Sequence, residues 1–484
     1  MFAKFRKTFL LVLGACAASC SLANTPSAKW VEETLESGGE RVWISVDGGA
    51  EIPWTLAPEV EPDVFSTICA PDNPTKVRYR SVSDEIVFEI SGTDRIRFAI
   101  VTKDARRAIN ELRCLAPRNA YQGDYSATRP SAGLYPGDLD PILQAYFDQN
   151  TPGALTGVWK DGESAYVEAI GLADVEAGRA RSVEDPFEIA SIAKEFTAVS
   201  VMQLVERGKL SLDDNVGRFF PRLPYGDTVK IKHLLAHTSG LGNRTYTSSY
   251  TIQSPFDPDA ALEQLATSPL AFKPGASYEY SNAGMTLAAL IAEKASGQSR
   301  ADYIREHLLK PAGMTQTRFL AQLSDAERGR YLVGYSQSVG APEKLPERLH
   351  PTAPFGSGDL VSTLADLRRW HTALKDGSLV SRATFERMIT PVTLADGTVS
   401  QRGLAFMVGS VSGERLIYNS GDIYTHTRHA FLADRDLSIV VNTNVSPEND
   451  FDQSGRIRNQ LIGKLMNTRY MQLYGEGIDV DGEY

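Results

Sequence analysis

The chain has 484 residues, a length that predicts two or three domains. Hydrophobic residues make up 42% and charged residues 23% of the sequence, which is the balance of a globular protein. The net charge of -10 argues against nucleic acid as a partner, because no basic excess is available to displace counterions. No apolar run reaches the length of about 18 residues that a membrane-spanning helix needs.

The first 23 residues have the pattern of a secretory signal peptide. A basic start and a short apolar core precede small residues at the positions that a signal peptidase inspects. These parts are, in order, Lys4, Arg6 and Lys7, then Phe9 to Ala18, then Ser21-Leu22-Ala23. We therefore expect cleavage after Ala23 and a periplasmic or secreted protein.

Two other interpretations of this segment stay open. Leu13-Gly14-Ala15-Cys16 resembles a lipobox, so that lipidation at Cys16 would anchor the protein to a membrane. A buried amphipathic helix is the other alternative, although the segment lacks helical periodicity. Contact with a membrane is expected only in the lipidated form.

The cysteines agree with export. Cleavage after Ala23 would remove Cys16 and Cys20 and leave Cys69 and Cys114. An even pair in an oxidising compartment favours a disulfide between Cys69 and Cys114. Two buried free thiols are the alternative.

Residues 24–116 are predicted to form a small α+β domain. Four β-rich runs are separated by Gly, Asp and Ser, and a helical stretch follows. The runs are Arg41 to Val46, Val77 to Val82, Glu85 to Ile90 and Arg95 to Val101, and the helix is Lys103 to Leu112. Residues 117–137 are rich in Pro, Gly, Ser and Tyr without periodicity, which predicts a linker.

Residues 138–470 are predicted to form a second, larger domain. Strands at both of its ends, with helices between them, indicate one sheet built from distant chain segments. The predicted helices are Asp138 to Gln149 and Ser454 to Met466, and the strands are Ala154 to Trp159, Ser164 to Ile170, Leu416 to Asn419 and Ser438 to Asn442. The hairpin dipeptide Asp161-Gly162 joins the first two strands. Residues 471–484, acidic and glycine-rich from Gly475 onward, are predicted to be a disordered tail.

A Ser-x-x-Lys motif, Ser191-Ile192-Ala193-Lys194, opens a predicted helix that ends before Gly208. Lys194 lies one turn after Ser191 on the same helix face. A serine hydroxyl needs a nearby base, and a lysine amine can act as one when its pKa is lowered. The alternative is a helix cap followed by a solvated lysine.

Tyr280-Ser281-Asn282 follows a Pro274-Gly275 turn and precedes a predicted helix. A tyrosine beside a serine–lysine pair can move a proton between hydroxyl, amine and leaving group. The Asn282 amide can hold a substrate carbonyl. A packed aromatic and a helix cap are the alternative interpretation.

These motifs, with three further phrases in the same order, resemble the serine β-lactamase and penicillin-binding group, and within it the class C-like branch with its esterases and D-amino-acid peptidases. The phrases are Gly208 to Asp214, His233 to Gly240 and Gly356 to Thr363. The resemblance covers Leu139 to Met466. It implies an α/β, β-lactamase/transpeptidase-like fold with three layers, namely an antiparallel sheet flanked by helices plus a helical subdomain. It also implies that Ser191 attacks a carbonyl while Lys194 and Tyr280 accept its proton.

The third motif of this family is Lys or His, a small residue and Gly on an edge strand. The matching residues here are Asn419, Ser420 and Gly421, so the basic residue is missing. Gly421 lets a substrate approach the strand backbone. The resemblance implies an oxyanion hole formed by the backbone N–H groups of Ser191 and Asp422, with Asn282 and Asn419 positioning the substrate.

The missing cation bears on substrate choice. Asn419 brings no charge and Asp422 adds a negative one, so carboxylate-bearing substrates should bind less well than esters, amides or amine-bearing peptides. His426, Arg428 or His429 could restore positive charge, and an inactive relative is a further alternative.

No metal or other cofactor is expected. His233 and His237 stand four residues apart, but no third ligand completes a zinc site, and the family comparison makes both structural. Asp213 and Asp214 are interpreted as a solvated turn.

Three functions are carried forward. The first is an exported esterase, amidase or D-amino-acid peptidase acting on small-molecule esters, amides or short peptides. The second is a β-lactamase or D,D-carboxypeptidase. The third is a catalytically weak protein that binds cell-wall peptides.

Overall fold

The computed structural model describes residues 139–242, 252–336, 342–346, 349–446 and 453–466, together with the backbone of strands outside these ranges. The chain divides into two compact units, residues 1–132 and 133–484. No helix in the described ranges is long and apolar enough to cross a membrane.

The first unit contains antiparallel strands. Their bounds are Leu11–Val12, Val31–Thr34, Val42–Val46, Ala50–Trp54, Lys76–Val82, Glu85–Ser91 and Arg95–Ile100. The four predicted strands are confirmed within one residue at each end. Val42–Val46 pairs with Ala50–Trp54 in a hairpin, and the other five form a second sheet. The predicted Lys103 to Leu112 helix, the Cys69–Cys114 disulfide, the signal peptidase site and the linker lie outside the described residues.

The second unit is built on an eight-stranded antiparallel sheet. Its strands are β1 (Ala154–Lys160), β2 (Glu163–Ile170), β3 (Met407–Val411), β4 (Glu414–Asp422), β5 (His426–Leu432), β6 (Leu437–Thr443), β7 (Tyr470–Leu473) and β8 (Glu476–Asp479). Their order is β8-β7-β3-β4-β5-β6-β1-β2, so β6 from the end of the chain pairs with β1. The expected sheet from distant segments is confirmed. Asp161 and Gly162, with φ of 53° and 88°, form the β1–β2 turn, because both central positions of such a turn need positive φ.

The acidic tail is partly ordered, which corrects the expectation of disorder from Gly475. Glu476–Asp479 is strand β8, paired with β7, and β7 pairs with β3 at the sheet edge. An open strand edge offers unpaired backbone groups, and the tail satisfies some of them.

Helices and short elements complete the second unit. The helices are Asp140–Gln144, Ala193–Glu206, Ile231–Leu235, Pro258–Thr267, Asn282–Ser296, Arg300–Ile304, Asp325–Tyr331, Leu364–Lys375, Arg382–Met388 and Gln453–Met466, with a π-helical turn at Arg305–Leu309 and 3-10 turns at Ala190–Ile192, Val216–Arg218 and Leu320–Gln322. Short strands are Leu172–Asp174, Arg179–Ala180, Phe187–Glu188, Arg318–Phe319, Tyr335–Ser336, Glu343–Lys344, Leu360–Ser362 and Val445–Ser446. The predicted Asp138 to Gln149 helix is shorter because the Asp148 carboxylate accepts the Asn150 N–H and closes a turn.

Alternate residues of the sheet face two separate cores. Ile417 and Phe431 join the larger core, which contains the helix Ala193–Glu206. Tyr418 and Leu432 join the smaller core, which contains Ile457 of the last helix. The period-2 alternation of a strand therefore gives the three-layer arrangement of helix, sheet and helix.

Candidate active site

Ser191 lies where a short strand turns into a long helix. Strand Phe187–Glu188 pairs with Leu360–Ser362, and the chain then enters a 3-10 turn that continues as the helix Ala193–Glu206, called the Ser191 helix below. Ala190 has a φ of 42°, in the left-handed region that costs an alanine about 1–2 kcal/mol. The surrounding structure holds this conformation and presents the Ser191 side chain, which is partly exposed.

Lys194 is buried beside Ser191. Its Nζ lies 2.9 Å from Ser191 Oγ and donates a hydrogen bond of 2.7 Å to the backbone carbonyl of Ser357. The residue is only 2% exposed. Burial lowers the pKa of Lys194 well below its ordinary value, although the negative charge of Asp359 opposes this shift. The shift favours the neutral amine, which is the form that can act as a base.

Tyr280 reaches the same serine oxygen from another chain segment. Its hydroxyl donates a hydrogen bond of 2.7 Å to Ser191 Oγ, and its ring lies 4.8 Å from Lys194 Nζ. Burial raises the pKa of Tyr280 to about 12, and a hydrogen bond with Ser191 opposes the rise. The hydroxyl therefore stays protonated at neutral pH. The structure thus brings the three predicted catalytic side chains around one hydroxyl.

The two histidines of the phrase His233 to Gly240 support this arrangement. The buried His237 ring packs against Tyr280 at 4.8 Å, and its Nδ1 accepts the Ser281 N–H at 3.1 Å. His233 Nδ1 accepts the Lys230 N–H. Both are bound to backbone groups, as a structural role requires, and no metal-binding group of three His, Cys, Asp or Glu occurs in the described ranges.

The paired aspartates form surface contacts, in agreement with the solvated turn. Asp213 pairs with Lys230 and Lys232, and Asp214 pairs with Arg218.

A buried ion pair, Arg300 with Asp359, stands behind Lys194. Their side chains approach to 2.9 Å and are 5% and 6% exposed. The guanidinium also donates to Thr197 Oγ1 on the Ser191 helix, and Asp359 accepts the Gly356 N–H. The pair thereby ties the Ser191 helix to the loop whose carbonyl binds Lys194. This loop belongs to the phrase Gly356 to Thr363 noted in the sequence, but no sequence pattern pointed to Arg300.

A second buried carboxyl group, Glu188, precedes Ser191. Its Oε2 accepts the Tyr424 N–H at 3.0 Å, and among the residues that the structure describes no group hydrogen-bonds to its buried Oε1. Burial raises the pKa of Glu188 to about 8, although hydrogen bonds from Tyr424 and Thr425 act to lower it. Sequence reasoning missed this group.

Gly421 lies directly against the Ser191 turn. A Cβ at this position would stand 2.1 Å from the Ile189 carbonyl oxygen and 3.1 Å from the Ser191 backbone nitrogen. Strand β4 and the turn can therefore approach this closely only with glycine. The contact brings the chain next to Asp422 beside Ser191, as the expected oxyanion hole requires, while the hole itself stays a prediction.

The Asn419 prediction requires a correction. Both donors of its amide are used inside the protein, one by Glu195 Oε1 at 2.6 Å and one by the Ala405 carbonyl at 2.9 Å. Asn419 sits on the face of β4 that packs on the Ser191 helix, so its amide N–H groups are not available to a substrate. The physical reason is that Glu195, a buried acceptor, binds the Asn419 amide. The sequence analysis did not identify Glu195. A charged residue inside an apolar helical run was the signal that could have indicated a buried polar contact.

Glu195 is the centre of a buried polar network. Besides Asn419, its carboxyl oxygens contact His429 Nε2 at 2.8 Å and the Trp370 indole N–H at 2.8 Å. His429 Nδ1 in turn lies 2.7 Å from His371 Nε2. His429 is therefore committed to the interior and does not supply positive charge to the site.

Two neighbouring side chains bind the Asp422 carboxylate. Arg428 Nη1 and His426 Nδ1 each lie 2.6 Å from Asp422 Oδ1. Burial alone would raise the pKa of Asp422, but hydrogen bonds and charges from His426 and Arg428 hold it below its ordinary value. These two residues therefore offset the negative charge of Asp422.

Asn282 is the first residue of its helix and is partly buried. The helix is capped by Ser281, whose Oγ accepts the Gly284 N–H at 2.8 Å. This cap fixes the start of the helix at Asn282, two residues after Tyr280. A role of Asn282 in holding substrate stays a prediction.

Comparison with known proteins gives a consistent result. A family model described as Beta-lactamase matches residues 138–464. Penicillin-binding protein 4* of Bacillus subtilis is 32% identical over 274 residues, which are 54% of this chain and 60% of that protein. Esterase EstB of Burkholderia gladioli is 36% identical over 241 residues, 46% of this chain and 60% of that protein. The chain thus spans about 60% of the length of these relatives.

Solved structures agree on the fold. The octameric penicillin-binding protein homologue from Pyrococcus abyssi has a TM-score of 0.57 at 25% identity, covering 69% of this chain and 77% of that chain. The D-amino acid amidase from Ochrobactrum anthropi has a TM-score of 0.56 at 22% identity, covering 65% and 93%. The second likeness shows the fold alone.

Proposed function

The chain belongs to the β-lactamase family, and from this premise we propose that it is an exported serine hydrolase that forms an acyl-enzyme on Ser191. We propose esters, amides or D-amino-acid peptides as its substrates, with cell-wall peptides among the candidates. A periplasmic or secreted location, or a lipid anchor at Cys16, is part of the same proposal.

One observation carries the proposal. Lys194 Nζ and the Tyr280 hydroxyl lie 2.9 Å and 2.7 Å from the same Ser191 oxygen. A nucleophile needs a base within hydrogen-bond reach and a second group that can carry the proton onward. Both requirements are met at a hydroxyl that solvent can reach.

The two neighbours take different parts in the proposed reaction. Burial lowers the pKa of Lys194 and raises that of Tyr280 to about 12, so the amine, not the phenol, is the group that accepts the Ser191 proton. Ser191 Oγ bonds to the substrate carbonyl carbon as its proton moves to Lys194. Tyr280 then passes its proton to the leaving group as the bond to that group breaks, and the proton held by Lys194 replaces it, so that the amine is neutral again. A water molecule then attacks the acyl carbon and loses a proton to Lys194. That proton returns to Ser191 Oγ as the bond between Ser191 and the acyl group breaks.

The developing oxyanion is assigned to the backbone N–H groups of Ser191 and Asp422. Donors aimed at such an oxygen are typically worth about 2.7–4 kcal/mol each. The contact of Gly421 with the Ser191 turn supports this assignment, because it brings the two segments together.

Hydrolysis of esters or amides is favoured over hydrolysis of penicillins. The residue that replaces the family's cation, Asn419, binds Glu195 instead of facing a substrate. The relatives include both an esterase and a penicillin-binding protein, so both chemistries require a direct test.

The test is covalent labelling of the purified protein with a fluorophosphonate probe and with a fluorescent penicillin, beside the variant Ser191→Ala. Labelling by the fluorophosphonate alone, lost in the variant, is the expected result. Labelling by both probes would indicate a β-lactamase or D,D-carboxypeptidase. Silence toward both would refute the enzyme proposal and leave a protein that binds cell-wall peptides.

A substrate screen then identifies the leaving group. p-Nitrophenyl esters, D-aminoacyl amides and a chromogenic cephalosporin are compared at equal concentration, with Ser191→Ala as the blank. Turnover of the esters or D-aminoacyl amides, with little turnover of the cephalosporin, is expected.

A further inference from the structure

Three arginines and one carboxylate line a small cavity in the second unit. The polar residues of its wall are Arg179, Arg181, Asp185, Arg330, Tyr331, Thr425 and Asn444. The cavity has a volume of about 10 Å³, which is close to the least that holds one water molecule. Its occupant is therefore one water molecule or one small ion, and a substrate is too large for it.

The charges on the cavity wall are not balanced. Arg179 pairs with Asp185 at 3.2 Å, and Asp185 also accepts the Ser182 N–H. Arg181 instead donates to two neutral groups, the Asn442 side-chain oxygen at 2.6 Å and the Gly153 carbonyl at 3.3 Å. The single carboxylate of the wall is thus bound to Arg179, and the charge of Arg181 is left without an ion pair.

One buried donor on the wall is unused. Arg181 Nε is buried, and among the residues that the structure describes no group accepts its N–H. Burial lowers the pKa of Arg181 to about 10, although the negative charge of Asp185 opposes this shift, so the guanidinium stays charged at neutral pH. A buried donor without an acceptor costs stability, and an ordered water or an ion usually satisfies such a group.

Arg330 adds a third positive charge from the surface. Its side chain is exposed, and in the described part of the chain no carboxylate pairs with it. Its backbone carbonyl accepts a hydrogen bond of 2.5 Å from Arg179 Nη2, which joins the end of the helix Asp325–Tyr331 to the cavity wall. Three guanidinium groups around one carboxylate repel one another, so a negative ion is favoured over a water molecule.

We propose that this cavity binds a small monovalent anion such as chloride, with Arg181 Nε as its buried donor and Arg330 as its outer cation. Hydrogen bonds to an ion are roughly twice as strong as those between neutral groups. The ion offsets the repulsion among the arginines and joins the short strand Arg179–Ala180 to the end of the helix Asp325–Tyr331. Its effect is on stability, and the inference is independent of the reaction at Ser191.

The first test is thermal unfolding of the full chain in sodium chloride and in sodium gluconate at equal ionic strength. Gluconate is too large for the cavity, so it serves as the reference for screening and general salt effects. The Tm in chloride minus the Tm in gluconate should be greater for the wild type than for Arg181→Gln, by about 2 °C or more. The same difference in both proteins overturns the inference.

Two further variants separate a specific ion from a change in net charge. Arg330→Gln keeps the buried hydrogen bonds of Arg181 and should lose part of the chloride effect. Arg222→Gln, which removes an exposed arginine outside the cavity wall, is the matched control and should keep the full effect. An equal loss in Arg181→Gln, Arg330→Gln and Arg222→Gln overturns the inference, because it would indicate net charge alone.

Crystals of the full chain grown in sodium bromide locate the ion directly, because bromide scatters anomalously. An anomalous peak within hydrogen-bond reach of Arg181 Nε is expected. Density at this place without an anomalous signal would indicate an ordered water only and would overturn the inference. A bromide peak without the chloride-dependent rise in Tm would indicate an adventitious ion only and would overturn it as well.

Discussion

Asn419 donates a hydrogen bond of 2.6 Å to Glu195, and this contact joins strand β4 to the residue that follows Lys194. The strand that carries Gly421 is thereby fixed to the helix that carries the proposed base. Asn419, which stands where the family has a cation, thus stabilises the site through a contact in the protein interior.

Replacing Asn419 by alanine should cost stability more than substrate binding. The change removes one donor to Glu195 and one to the Ala405 carbonyl, both buried, and should lower the free energy of unfolding by about 1–3 kcal/mol. KM for a p-nitrophenyl ester should stay within about twofold of wild type. Denaturant titration and steady-state kinetics check both parts, and a large rise in KM at unchanged stability would contradict the assignment.

Lys194→Met should lower activity and raise stability at neutral pH. Loss of a general base costs about 10²–10⁴ in rate. The folded-state pKa of Lys194 is lowered, so between the folded-state and unfolded-state pKa values the unfolded chain binds a proton that the folded chain does not, and wild-type stability rises with pH across that range. The variant lacks this penalty, so its advantage should be larger at pH 7 than at pH 10.

Denaturant titrations at the two pH values measure the effect of Lys194→Met. Lys209→Met, at an exposed position, is the control and should show no such pH-dependent gap. A variant less stable than wild type at pH 7 would argue that the amine is charged in the folded state.

Arg300→Met should move the acid limb of the activity profile. Burial raises the pKa of Asp359, and the Arg300 charge is the main opposing influence, so without the guanidinium the carboxyl takes up a proton more readily. The negative charge that raises the pKa of Lys194 is then lost, and activity should extend to a lower pH than in wild type. Removing one partner of a buried ion pair also costs about 3–5 kcal/mol of stability.

The double variant Arg300→Met/Asp359→Asn should show nearly the same acid limb as Arg300→Met, because neither variant carries a negative charge at residue 359. Asp359→Asn alone should shift the limb to lower pH. kcat/KM measured from pH 5 to pH 9 tests all three, and an unmoved limb in every variant would rule out the electrostatic link.

Glu188→Gln should stabilise the protein at alkaline pH. The folded-state pKa of about 8 lies above the ordinary value of 4.5, so wild-type stability is full below pH 4.5 and falls as pH rises toward 8. The variant has no carboxyl to ionise. The free energy of unfolding of the variant should exceed that of wild type by about a few kcal/mol at pH 8 and by little at pH 5. Glu184→Gln, at an exposed site, should show no such trend in thermal or denaturant unfolding.

Gly421→Ala should impair both folding and catalysis. Its Cβ would enter the space of the Ile189 carbonyl, so the turn or the strand must move, at about 1–3 kcal/mol. The movement would displace the Ser191 N–H from the oxyanion position and lower fluorophosphonate labelling. Gly329→Ala, in a helix with open space around it, should instead be neutral or stabilising by up to about 1 kcal/mol. Equal behaviour of the two variants would refute the close-contact argument.

The local pattern of the sequence determined much of the fold. Strict turn dipeptides such as Asp161-Gly162 and β-rich runs gave strand positions within one or two residues for most elements, because these signals act over a few neighbours. The order of several motifs indicated the family, and with it the contact of Ser191, Lys194 and Tyr280. Local patterns were less reliable at the Asp138 to Gln149 helix, where an aspartate turn competes, and at the tail, where pairing with a distant edge decides.

The tertiary structure alone decided which charges face the site. Asn419, His429 and Arg428 lie on strands β4 and β5, but the partner of each depends on which face packs on the Ser191 helix. Arg300 and Glu188 carry no local motif. Their effects on pKa arise from burial and from neighbours distant in sequence. Such neighbours meet only when the chain folds.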